Sequence, residues 1–139
     1  CVVAFFLLRL LSSLVFPPLF SAAASVGYKR QNQSLAKADD FTADLQKLVT
    51  EYCWGTVWQR DGLSLKSRSM INLAMITALN RPHELKIHVR GAINNGLTKL
   101  EIREVLMQTA SYCGVPAAID SFRVAQSVFS EMDEEAGKN

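Results

Sequence analysis

The stretch NRPHELKIHVRGAINNG, residues 80–96, decides how the rest of the chain is read. Pro82 suits the first turn of a helix, where its missing N–H would have no partner in any case. Asn95-Gly96 suits the stop, because glycine enters a left-handed cap without strain. A short helix is thereby bracketed. On its 3.6-residue period, Arg81, Glu84, His88, Gly91 and Asn95 share one stripe, while Leu85, Val89 and Ala92 form another beside it. An imidazole, a carboxylate and a guanidinium can therefore sit on one face. The plain alternative is an ordinary solvated helix face.

The flanking segments carry the same helical period. Phe41, Leu45, Leu48 and Tyr52, with Val49 beside them, predict a helix from Asp40 to about Trp58 with Asp40 as its cap. Glu51, Trp54 and Trp58 form a second stripe. Its tryptophans suit either core and subunit contacts or the walls of a pocket for a flat ring. Ser64 is placed to cap a helix over Leu65–Leu79, whose MINLAMITAL run is apolar nearly all round and predicts the buried centre of the domain. Arg68, one turn before that run, can bury its stem and present its head to a cleft, either as an ion-pair partner or to a carboxylate that its fork matches. Thr98-Lys99-Leu100-Glu101 fits a capping box that starts a helix at Lys99 with Ile102, Val105, Leu106 and Thr109 facing in. After Gly114, Pro116 opens a last helix with Ile119, Phe122, Ala125, Val128, Phe129 and Met132 on its apolar side, followed by an acidic tail expected to fray. No strand alternation or glycine-rich phosphate loop interrupts this pattern, so the fold class is all-α.

With 139 residues and 49% hydrophobic content, the chain suits one domain with a packed core, for which self-association would add buried surface. The division expected is a leader-like segment and polar linker over 1–33, a helical domain over 34–132 and a polar tail over 133–139. A formal charge of +2 with interspersed acids lacks the dense basic block that nucleic-acid binding favours. Cys1, Cys53 and Cys113 have neither C-x-x-C nor zinc-ligand spacing, so they read as buried thiols with no metal site. The run CVVAFFLLRLLSSLVF, residues 1–16, resembles a secretory h-region followed by small residues at a cleavage-like site, but it opens on Cys, as a fragment would. It is short of a membrane span and Arg9 interrupts it, so membrane association is disfavoured apart from this segment. Free thiols point to the cytoplasm, and the leader-like segment to export or an organelle.

The motifs WGTVW (54–58), ALNRP (78–82), HVRGAINNG (88–96) and YCGVPAA (112–118), in this order, resemble the carboxymuconolactone decarboxylase family over about Ser34 to Met132. That resemblance implies a compact multi-helix domain of the alkylhydroperoxidase-like kind, assembled as a homo-oligomeric ring, commonly a hexamer. One branch of the superfamily places a C-x-x-C pair before the central histidine with a glutamate upstream. Those positions hold Arg81, Glu84 and Ser69 here, so a thiol peroxidase is disfavoured. The other branch decarboxylates 4-carboxymuconolactone to the 3-oxoadipate enol-lactone and CO2, in the protocatechuate branch of the β-ketoadipate pathway. No cofactor is expected, because the substrate's own conjugated lactone accepts the electrons.

Within that resemblance His88 is the candidate proton donor and Glu84 the carboxylate that orients it. The competing role for His88 is a structural histidine bonded to a carbonyl. Arg68 is the first candidate for a substrate carboxylate of the lactone dicarboxylate, with Arg81 and Arg90 behind it. Trp54 and Trp58 are candidates to wall the ring, and Asn95 either to donate to the lactone oxygen or to cap the helix. His83 falls on another side of the helix and reads as a surface residue. Alternatives are a decarboxylase or isomerase of a related lactone acid, or a non-catalytic oligomeric helical module.

Overall fold

The computed structural model describes residues 38–138. Cys1, the leader-like run and the linker through residue 37 lie outside them. The described chain is all helical: α1 (Ala43–Leu48) continues directly into a π-helical segment (Val49–Val57), and α2 (Leu65–Ala78), α3 (Pro82–Asn94), α4 (Lys99–Cys113) and α5 (Val115–Ala136) follow. None of the described helices is long and apolar enough to cross a membrane.

Helices α2 to α5 pack into one body, in which α2 touches α3, α4 and α5. Its centre is Leu73, Leu85, Val89, Ala92, Leu97, Ile102, Leu106, Ala125 and Val128. The expected inward faces of the bracketed helix and of the capping-box helix are thus the buried ones. Val105 is half-buried against that core.

Local chemistry sets the ends of these helices. Ser64 Oγ accepts from the Ser67 N–H at the start of α2. Thr98 and Glu101 form the reciprocal capping box at the start of α4. Between α2 and α3 the chain turns through Asn80 at φ 51°, with the Asn80 N–H donating to the Thr77 carbonyl and the Arg81 N–H to that of Ile76. Asparagine tolerates that left-handed geometry better than most side chains. After α3, Gly96 takes φ 90° and the Leu97 N–H donates to the Ala92 carbonyl, which drives Leu97 into the core. This closure fixes both ends of the stripe that carries His88.

Several expectations are corrected. The helix expected from Asp40 to Trp58 is α-helical only over α1 and then π-helical, and Thr42, not Asp40, stands at its N-cap. Asp39 accepts from the Thr42 N–H instead. The apolar stripe of this helix faces outward: Phe41 is 94% and Leu45 65% exposed, and Leu48 and Tyr52 are exposed with them. On α2 only one side is buried, through Ser69, Leu73 and Thr77, whereas Ile71, Met75 and Leu79 face out. Ile119 is also exposed. Cys113 is exposed and Cys53 half-buried, so neither is a core thiol. The acidic end does not fray at Met132: α5 runs to Ala136, where Asp133 pairs with Lys99 and Glu135 with Arg90.

Candidate active site on helices α2 and α3

Helix α3 presents Glu84, His88, Gly91 and Asn95 along one stripe, as its period requires. Glu84 is exposed and His88 half-buried. Loss of hydration holds the His88 imidazole below its ordinary value of about 6.5, and the negative charge of Glu84 opposes that shift. At neutral pH the ring is therefore mostly neutral, with one nitrogen a donor and the other an acceptor. An anionic ligand placed against it would favour the imidazolium, because opposite charge stabilises the charged form.

The N-terminal half of α2 meets the C-terminal end of α3 through Asn95, whose Nδ2 donates to Ser69 Oγ at 2.9 Å. Ser69 is buried there. The Asn95 amide is thus engaged with Ser69 across the α2–α3 seam. Next to Ser69, Arg68 Nη2 donates to the Arg60 carbonyl at 2.8 Å and ties the turn that follows the π-helical segment to α2. Arg68 Nε is buried with no hydrogen-bond partner among the described residues. A buried guanidinium donor left in that state carries a desolvation cost of about 1–3 kcal/mol, which a carboxylate oxygen would relieve.

Arg81 stands exposed at the N-cap position of α3. Arg90 reaches the other way, to Glu135 at 2.6 Å and Glu131 at 3.4 Å, in a network that clamps α3 to α5. His83 is exposed. Trp54 and Trp58 stack on each other, with centroids 4.9 Å apart and planes 15° from parallel. Both are half-buried on the π-helical segment. In that segment the backbone also crowds Gly55, where a Cβ would lie 3.3 Å from the Thr50 carbonyl oxygen.

The body also carries an open, largely apolar groove of about 680 Å³ between α2 and α4, lined by Met70, Ile71, Ala74, Leu100, Val105 and Tyr112 among others. None of His88, Glu84, Arg68, Arg81, Trp54, Trp58 and Asn95 borders it. Among the described residues no three His, Cys, Asp or Glu side chains gather where they would hold a metal ion.

Thr77 and the Ser69–Asn95 contact were not read as site features from sequence. Thr77 is 1% exposed, and its hydroxyl has no hydrogen-bond partner among the described residues. The available signal is the spacing Ser69, Leu73, Thr77, which sets two hydroxyl residues on one side of the helix within its mainly apolar run.

Residues 43–127 match the model of the carboxymuconolactone decarboxylase family. The chain is 45% identical over 107 residues to the nitrosuccinic acid decarboxylase npaB of Metarhizium robertsii, spanning 77% of this chain and 75% of that protein. It is 37% identical over 107 residues to the 4-carboxymuconolactone decarboxylase of Acinetobacter baylyi, spanning 77% and 80%. An uncharacterized 15.0 kDa protein from the nqo9-nqo10 intergenic region of Paracoccus denitrificans is 39% identical over 90 residues, spanning 63% and 66%.

Proposed function

This chain belongs to the carboxymuconolactone decarboxylase family, and on that premise we propose that it is a cofactor-independent decarboxylase of a small dicarboxylic acid that carries its own electron sink. The observation that carries this reading is the chemistry shared by two relatives named for different substrates. Nitrosuccinic acid and 4-carboxymuconolactone are both dicarboxylic acids. In each, the bond to the departing carboxylate can break with its electron pair flowing into a group already present, the nitro group in one and the conjugated lactone carbonyl in the other. A nitronate or a dienolate results, CO2 leaves, and a proton must then reach carbon.

The residues on α2 and α3 suit these steps. Arg68 offers a buried, unpartnered Nε–H to a substrate carboxylate. His88 supplies the proton once the bound anion has drawn it into the imidazolium form, and solvent restores it afterwards. Glu84 favours that charged form through space. Arg81 and the Trp54–Trp58 pair are secondary candidates for substrate contact, and Asn95 acts through Ser69. Within this class the motifs quoted from the sequence point to 4-carboxymuconolactone, while the higher identity, 45% against 37%, favours the nitro acid. A homo-oligomer that completes the site belongs to the same proposal.

The test is single-turnover CO2 release from each acid, without metal or added cofactor, by wild type and His88→Gln. Release from at least one acid is expected, with His88→Gln slower by about 10²–10⁴-fold at unchanged helicity. Because His88 must be protonated to donate, and burial lowers its pKa, kcat/KM should rise as pH falls through that lowered value and flatten in His88→Gln. Equal release by the variant would move the proton donor elsewhere. No release of CO2 by folded wild type from either acid would remove the decarboxylase reading and favour a binding module.

A further inference from the structure

Gly91 is a glycine in the interior of α3, where glycine is less favourable than alanine. Neither of the usual reasons for it applies. Its backbone is helical and not left-handed, and a Cβ built there meets nothing within 4 Å beyond the helix itself and its neighbours in sequence. The missing methyl therefore leaves room that the described chain does not fill. That room is one turn from His88 and one turn from Asn95 on the same stripe. Helix α2 has unmet hydrogen-bonding capacity as well: among the described residues, the only buried side-chain polar atoms without partners are Arg68 Nε and Thr77 Oγ1, both on this helix.

We propose that Gly91 sets the size of the acid admitted beside His88, its absent side chain making space on the α2–α3 seam for the body of the substrate. The assignment rests on the decarboxylase reading and makes it specific. A bulky lactone ring needs that space more than an open-chain nitro acid does. Gly91 therefore tunes substrate choice and not the proton transfer.

Gly91→Ala tests this without threatening the fold, because alanine favours the helix and nothing obstructs its methyl. The variant is expected to keep or raise its Tm and to keep its oligomer size by light scattering. Its kcat/KM should fall at least tenfold for 4-carboxymuconolactone, mostly through KM, and less for nitrosuccinic acid. Unchanged kcat/KM for both acids would overturn the assignment. So would a loss accompanied by a changed oligomer size, since the space would then belong to a neighbouring subunit. If wild type turns over neither acid, the decarboxylase reading fails by itself, and phthalate, a dicarboxylate built on a ring, becomes the probe, with binding followed by NMR at the His88 imidazole. Binding to wild type that weakens at least threefold in Gly91→Ala would still support a size limit at this position. Equal affinity, or no response at His88, would overturn it.

Discussion

Leu85 and Leu45 are the same side chain, each on an apolar stripe of helical spacing, yet Leu85 is 1% exposed and Leu45 65%. The first belongs to the α2–α5 body, where its stripe packs against the other helices. The second belongs to the α1 and π-helical arm, whose extensive contacts are with itself. Periodicity reports that a helix has an apolar face. It does not report what covers that face, and the two regions separate these pieces of information.

The largest way to sharpen this contrast is Leu85→Ala. Removing a fully enclosed leucine from the cluster it shares with Leu73, Val89 and Ile102 should cost about 2–5 kcal/mol, read as a drop in the denaturant midpoint at unchanged m. A loss below about 1 kcal/mol would mean that the body is far looser than its packing indicates.

Next in size is the seam between α2 and α3. Asn95→Ala removes the donor that holds Ser69 and leaves a buried hydroxyl with one partner fewer. A cost of about 1–3 kcal/mol is expected, and in the Asn95→Ala, Ser69→Ala double variant part of it should return, because no polar atom is then stranded. Strict additivity of the two single changes would show that the contact carries no coupling.

Legibility followed the same division. The body could be read because local chemistry and packing agreed: Pro82 opens α3, the Thr98–Glu101 box starts α4, Gly96 stops α3, and Leu85, Val89 and Ala92 are buried as their spacing requires. The exposed Ile71, Met75 and Leu79 on α2 were not legible, since an apolar residue beside a core looks the same in sequence as one inside it. Nor was the π-helical segment. Its i to i−5 bonds, such as the Trp58 N–H to the Cys53 carbonyl, leave no apolar period, and the tight approach of Gly55 to Thr50 is visible only once the chain is folded. At the site, the stripe of Glu84, His88 and Asn95 followed from helical geometry. That Asn95 bonds Ser69, and that Arg68 spends one nitrogen on Arg60, are tertiary facts with no local signature.

The smallest expected effect is on the arm, and it is the one that most directly tests the contrast. Leu45→Ala removes no contact with the core of its own body, so in dilute protein its unfolding free energy should lie within about 0.5 kcal/mol of wild type. A fully buried leucine at the same helical spacing would have cost several times more. The stripe of Phe41, Leu45, Leu48 and Tyr52 still represents apolar surface worth about 1.5–3 kcal/mol per side chain if something covered it. Stability should then depend on protein concentration, as it does whenever association stabilises only the folded state. The decisive comparison is therefore the Tm of wild type and Leu45→Ala over a hundredfold range of concentration. Coincident, flat curves mean that the arm's face is solvated in solution. A wild-type Tm that climbs with concentration while that of Leu45→Ala stays flat means that a second copy buries it. A loss of several kcal/mol in dilute Leu45→Ala would show instead that the arm folds back on its own chain, and the distinction between arm and body would collapse.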